Sequence, residues 1–165
     1  MKKLYNVMFP VFMILLVPVS WIVVLPANFL IDSLVVVLTM RYLKIAGIKD
    51  QYKACILKVW LVGFLSDMIG CLILVPAIPL SNGSGWSKAI AVSIMLNPFQ
   101  NGLALIIVCL AIIIAGIAIY FINKKFSFKK LAISDLEKHK LSLSLAIFTA
   151  PYVLLVPLTM LGYHL

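Results

Sequence analysis

Two carboxylates lie where the neighbouring residues give a charge nothing to pair with. Asp32 stands in NFLIDSLVVVLTM and Asp67 in GFLSDMIGCLILV, and from Ala54 to Leu80 the only other charged residue is Lys58. An acid at the centre of a bilayer costs roughly 2.5–3.5 kcal/mol on insertion scales, so something must compensate it. Three chemistries would do so. The pair could hold a cation or relay a proton. Each acid could be a structural hydrogen-bonding group, or could accept a basic residue from a partner's helix. Asp32 precedes Arg41 by nine residues and Asp67 follows Lys58 by nine. At about 1.5 Å per residue each acid stands ~13.5 Å from one ring of positive charge, so antiparallel helices would hold the two level. Asn28, one helical turn before Asp32, adds an amide to the same face. Asp32, Asp67 and Asn28 are therefore the candidate ion or proton site.

LNPFQNG, 96–102, is a second candidate. A helix broken at Asn97-Pro98, with Gln100 and Asn101 alongside, could turn carbonyls and amides toward a pore; the plainer expectation is an interfacial helix, a turn and the start of the next span. Asn97, Gln100 and Asn101 are the candidate outer polar cluster.

Other chemistry finds little support. Intramembrane aspartyl peptidases place a Gly-x-Gly-Asp turn at one acid, and Gly63-Phe64-Leu65-Ser66-Asp67 is not that turn. There is no nucleophilic serine motif, phosphate-binding loop or glycine-rich dinucleotide turn. His139 and His164 have no other metal-ligating side chain near them in a useful pattern. Cys55, Cys71 and Cys109 form no CxxC pair and read as packing residues. The sequence thus predicts no enzyme, no cofactor and no metal.

The elements that must position these groups follow from composition. The chain has 165 residues, 64% hydrophobic and 12% charged, with a mean hydropathy of +1.17. Soluble domains carry about 25% charged residues, so this is an integral membrane protein, all-α, a single polytopic bundle. The net charge of +9 does not indicate nucleic acid. Its lysines and arginine cluster between apolar runs, at 2–3, 41–58 and 124–140, where they suit topology and anionic headgroups.

An apolar helix of about 20 residues crosses a bilayer. Five spans are expected, at about 4–25, 27–43, 55–77, 102–122 and 141–162, with a turn at Pro26-Ala27-Asn28. Segments 44–54 and 123–140 are the cytoplasmic loops, and 78–101 is the outer loop with a re-entrant or interfacial half-helix at 88–96. The N-terminus, basic and uncleaved, lies inside and the C-terminus outside, in a membrane of bacterial cytoplasmic type. Ser134 and Glu137 have the spacing of a capping box, so the last helix starts near Asp135 and is kinked by Pro151 and Pro157. Trp60 is expected near the inner interface and Trp86 near the outer one.

Helical spacing sorts the third span into two faces. Gly63, Ser66, Asp67, Gly70 and Cys71 form a small-residue packing face, opposite Val62, Leu65, Ile69 and Leu72. Ala104, Ala111, Ala115 and Ala118 form a matching seam in the fourth. The acids therefore point into protein. The expected role is in a membrane transport or secretion process, as a homo-oligomer or with other membrane subunits. The alternative is a non-transporting accessory subunit whose acids serve as interhelical glue.

Overall fold

The computed structural model describes residues 11–161, which contain helices and turns and no strand. The helices are α1 (Val11–Leu16), α2 (Trp21–Tyr42), α3 (Ile48–Leu74), α4 (Ala77–Leu80), α5 (Gly85–Leu96), α6 (Gly102–Ile122) and α7 (Asp135–Phe148). Three helical stretches are long and apolar enough to cross a membrane: Pro18–Tyr42, Ile48–Leu80 and Gly102–Ser127. α5, with 12 residues, is a shorter apolar helix. At about 18 Å it reaches little more than halfway through a hydrocarbon core.

Helices α2, α3, α6 and α7 pack in a ring, each against the next. The five-residue turn 43–47 makes α2 and α3 antiparallel, and α4 and α5 carry the chain from α3 to α6. The turn after α2 is closed by Lys44 and Gly47, both at positive φ, 54° and 64°. One hydrophobic cluster fills the end of the bundle nearest this turn, around Met40, Val59, Ile119, Phe128 and Leu145. A second fills the other end, around Leu74, Ala91, Val108 and Leu154, with Phe12 from α1.

The outward faces are apolar too. Leu30, Leu34 and Leu38 on α2, Leu57, Leu61 and Leu65 on α3, and Ile106, Leu110, Ile113 and Ile117 on α6 are all exposed, at three- and four-residue spacing. Such continuous stripes belong against lipid rather than water.

Several expected boundaries move. The chain does not turn at Pro26-Ala27-Asn28, because α2 runs unbroken from Trp21 to Tyr42 with Pro26 inside it. Membrane helices tolerate an internal proline when neighbours supply the missing hydrogen bonds. Pro26 leaves the Ile22 carbonyl without its helical donor, and next to it the Trp60 indole donates to the Leu25 carbonyl at 2.9 Å, holding α3 against this turn of α2. The break falls instead at Val17, extended at φ −88°, ψ 123°, before Pro18. A proline forces its predecessor out of the helical region at this site and not at Leu25. The expected first span is therefore no single helix, and its residues 4–10 lie outside the described residues, as does the GYHL terminus.

Segment 44–54 is not all loop. α3 begins at Ile48 and carries its first two turns of charged residues as helix. Its 27 residues make about 40 Å, more than the ~30 Å hydrocarbon core, so the charged turns extend beyond the apolar region. In the 78–101 segment only the turn around 81–84 and the 3-10 turn Pro98–Gln100 separate helices.

α7 starts where the capping box places it. The Ser134 N–H donates to Glu137 Oε2 at 2.7 Å, and the Glu137 N–H to Ser134 Oγ at 3.3 Å. The Ser134 hydroxyl and backbone N–H hold the Glu137 carboxyl below its ordinary range. Beyond Phe148, however, the expected last span is not a kinked helix. It continues as 3-10 turns at Tyr152–Leu155 and Leu158–Leu161.

Candidate functional site

Between the two hydrophobic clusters lies a polar layer built from three elements. Asn28 and Asp32 stand one turn apart on α2, and Gly63 and Asp67 one turn apart on α3. The two helices pair them crosswise. Asn28 Nδ2 donates to Asp67 Oδ2 at 2.9 Å. Asp32 Oδ2 lies over Gly63, so close that a Cβ there would meet it at 2.9 Å. Gly63 thus makes room for the second acid, a use of glycine as close-approach residue. This pairing corrects the expected level arrangement: the acids are staggered by about one turn, ~6 Å along the helices. The offset arises because Arg41 and Lys58 are not level: with Asn28 beside Asp67 and Asp32 over Gly63, Lys58 stands about one turn deeper in α3 than Arg41 does in α2.

The third wall is the end of α7. Pro151 has no N–H to offer the Ile147 carbonyl, and the Tyr152 hydroxyl donates to that carbonyl instead, at 2.6 Å. With the helix stopped, Phe148, Thr149, Ala150 and Pro151 form an irregular wall facing α2 and α3. Thr149, whose hydroxyl donates to the Leu145 carbonyl at 2.9 Å, lines the same cavity as Asp32.

These elements enclose a cavity of about 240 Å³ that both aspartates line. Asp32 is 3% exposed and Asp67 6%. Asp32 Oδ2 and Asp67 Oδ1 are buried without a hydrogen-bond partner, and so is Ser66 Oγ next in the chain to Asp67. Among the described residues, no lysine, arginine or histidine lines the cavity. The α7 C-terminus adds the negative end of a helix dipole. Two carboxylates and a helix C-terminus converge with nothing positive among them. The donors are all oxygens, the set that suits a hard cation or a proton.

The structure brings Asp32, Asp67 and Asn28 together and leaves the outer polar cluster elsewhere. Asn97 Oδ1 accepts from the Phe99 N–H at 3.1 Å. Asn101 caps α6, its Oδ1 accepting from the Leu103 and Ala104 N–H groups at 3.0 and 3.2 Å. Gln100 is exposed. The Asn97 and Asn101 side chains cap the N-termini of the helical turns that follow them.

Gly63, Ser66, Gly70 and Cys71 are on the inside of α3, but their partners belong to the same chain. A Cβ at Gly70 would meet Ala115 Cβ at 3.3 Å, and the Ala111 carbonyl and Pro151 Cγ at 3.5 Å. Val62, placed by its spacing on the opposite face, is buried as well. Trp60 packs edge-on against Phe29, ring centroids 5.9 Å apart, and bonds α2.

The wall residues Thr149 and Ala150 were not legible as site residues. The one signal was Pro151, which announces an interrupted helix without saying what the interruption faces. Tyr120 and His139 are another unexpected pair, hydroxyl to Nδ1 at 2.7 Å, joining α6 to α7.

No protein-family model, curated protein or solved structure matches this chain.

Proposed function

We propose that the Asp32–Asp67 cavity is a cation or proton site, and that the chain serves a membrane transport or secretion process through it. The observation that carries this reading is the convergence of two largely unpartnered carboxylates and a helix C-terminus on one cavity that no basic residue lines among the described residues. Buried negative charge of this density calls for a proton or a cation. Transporters use interrupted helices in this way, aiming half-helix C-termini and freed carbonyls at a bound ion. The end of the bundle holding residues 41–58 and 124–140 carries eleven of the 14 lysines and arginines, and we place it on the cytoplasmic side.

The Asn28–Asp67 hydrogen bond favours the second reading, in which the acids are interhelical glue in an accessory subunit. Infrared difference spectroscopy on the protein in lipid separates the two. In the first reading the carboxyl bands respond to pH or to one added cation, and Asp67→Asn folds normally but loses the response. Bands that ignore every cation tested and every accessible pH sink the ion site and leave the glue.

A further inference from the structure

A second concave surface lies at the lysine-rich end, away from the aspartates. It is a groove of about 600 Å³ between α3 and the end of α6. Lys58 projects from α3, half-buried; Lys125, Lys129 and Lys130 come from the π-helical turn Asn123–Ser127 and the residues after it. Among the described residues no carboxylate lines the groove, and the one ion pair, Lys138 with Asp135, is elsewhere.

The π turn places these groups at a cost. Its wide hydrogen bond, Phe128 N–H to the Asn123 carbonyl at 3.0 Å, turns Phe128 into the core and Phe126 outward. Asn123 Oδ1 and Ser127 Oγ are left buried without partners. Such turns recur at functional sites, where the displaced register serves placement rather than stability.

The floor of the groove is apolar. Phe121 and Phe126 are 63% and 66% exposed, and Phe121 continues the outward stripe of Ile113 and Ile117 along α6. Four unpaired ammonium groups above a hydrocarbon track fit an amphiphile with a phosphate head, where a free anion would use only the lysines. Basic pockets between membrane helices take acidic lipid headgroups in this manner. We propose that this groove binds one anionic phospholipid, its phosphate among Lys58, Lys125, Lys129 and Lys130 and an acyl chain along Phe121, Ile117 and Ile113.

The test is native mass spectrometry of the full chain, titrated in detergent with phosphatidylglycerol or with phosphatidylcholine. Each lysine near a headgroup is worth roughly fivefold in affinity, so Lys58→Gln/Lys125→Gln/Lys129→Gln should bind phosphatidylglycerol about a hundredfold more weakly. The control, Lys44→Gln/Lys49→Gln/Lys53→Gln, loses equal charge and should bind one lipid as the wild type does. The arginine triple at 58, 125 and 129 should bind it as well, which separates lost charge from lost fold. Equal weakening in groove and control variants would mean diffuse surface attraction and overturn the proposal. So would equal retention of phosphatidylcholine, or full displacement by inorganic phosphate, which would make the groove a free-anion site.

Discussion

At position 63 two effects of one methyl group oppose each other. Replacing a mid-helix glycine with alanine favours the helix by up to about 1 kcal/mol. The same Cβ would stand 2.9 Å from Asp32 Oδ2, inside any real contact distance. The atom it meets is the tip of a short side chain, and moving a side chain off its rotamer costs roughly 0.5–1.5 kcal/mol. The two terms nearly cancel, so Gly63→Ala should fold with a thermal midpoint within a few degrees of the wild type. The carboxylate cannot keep its place over α3, however, and the cation or proton response should weaken at least tenfold. Thermal unfolding with and without the cation identified by infrared spectroscopy reads both quantities. An alanine variant stabilised by that cation as strongly as the wild type would mean that Asp32 need not face α3.

At the scale of elements, the interruption after α7 is what gives the aspartates a third wall. Pro151 removes one helical donor, and the Tyr152 hydroxyl takes the vacant Ile147 carbonyl. Proline in a helix interior costs about 3 kcal/mol, so Pro151→Ala removes the main local bar to another turn. Amide exchange across 147–155 should then slow in lipid nanodiscs, and the ion response should fall as the wall rewinds. Unchanged exchange would show that packing of the segment against Gly70 and its neighbours holds the break without proline. Pro26 shows why sequence alone could not place these breaks. Both prolines lack the same donor, yet α2 continues through one and α7 stops before the other. Around Pro26 the helix is held against α3, where the Trp60 indole bonds the adjacent Leu25 carbonyl, whereas the Ile147 carbonyl that Pro151 vacates is taken by the Tyr152 hydroxyl from beyond the helix end. Local chemistry names the candidate breaks, and tertiary contacts choose among them.

For the whole molecule, what was legible followed from composition and period. Apolar stretches of membrane length, the small-residue side of α3 and the Ser134–Glu137 cap all depend on residues close in sequence, and the structure has them. The register of α2 against α3 was not legible, since counting from Arg41 and Lys58 assumes that these two charges lie at one depth. Lys58 stands about one turn deeper instead. Nor could the return of the chain at 149–153 beside Asp32 be read, because it joins residues more than a hundred apart. Charge asymmetry survives these corrections. The turn between α2 and α3 lies at the end that gathers residues 41–58 and 124–140, whereas Lys88 is at the start of α5. Insertion favours the basic end inside. Ala46 in the first turn and Asn82 before α5 are both exposed, so a cysteine at either should be reachable from water. Cys55 and Cys71 are buried, and Cys109, part-exposed in the middle of α6, is replaced by serine to remove background. On intact cells an impermeant maleimide should label Asn82→Cys, and label Ala46→Cys only after permeabilisation. The reverse pattern would invert the bundle and set the lysine groove against the outer leaflet. Labelling of both sites in intact cells would mean dual insertion, with the charge imbalance too weak to orient the chain.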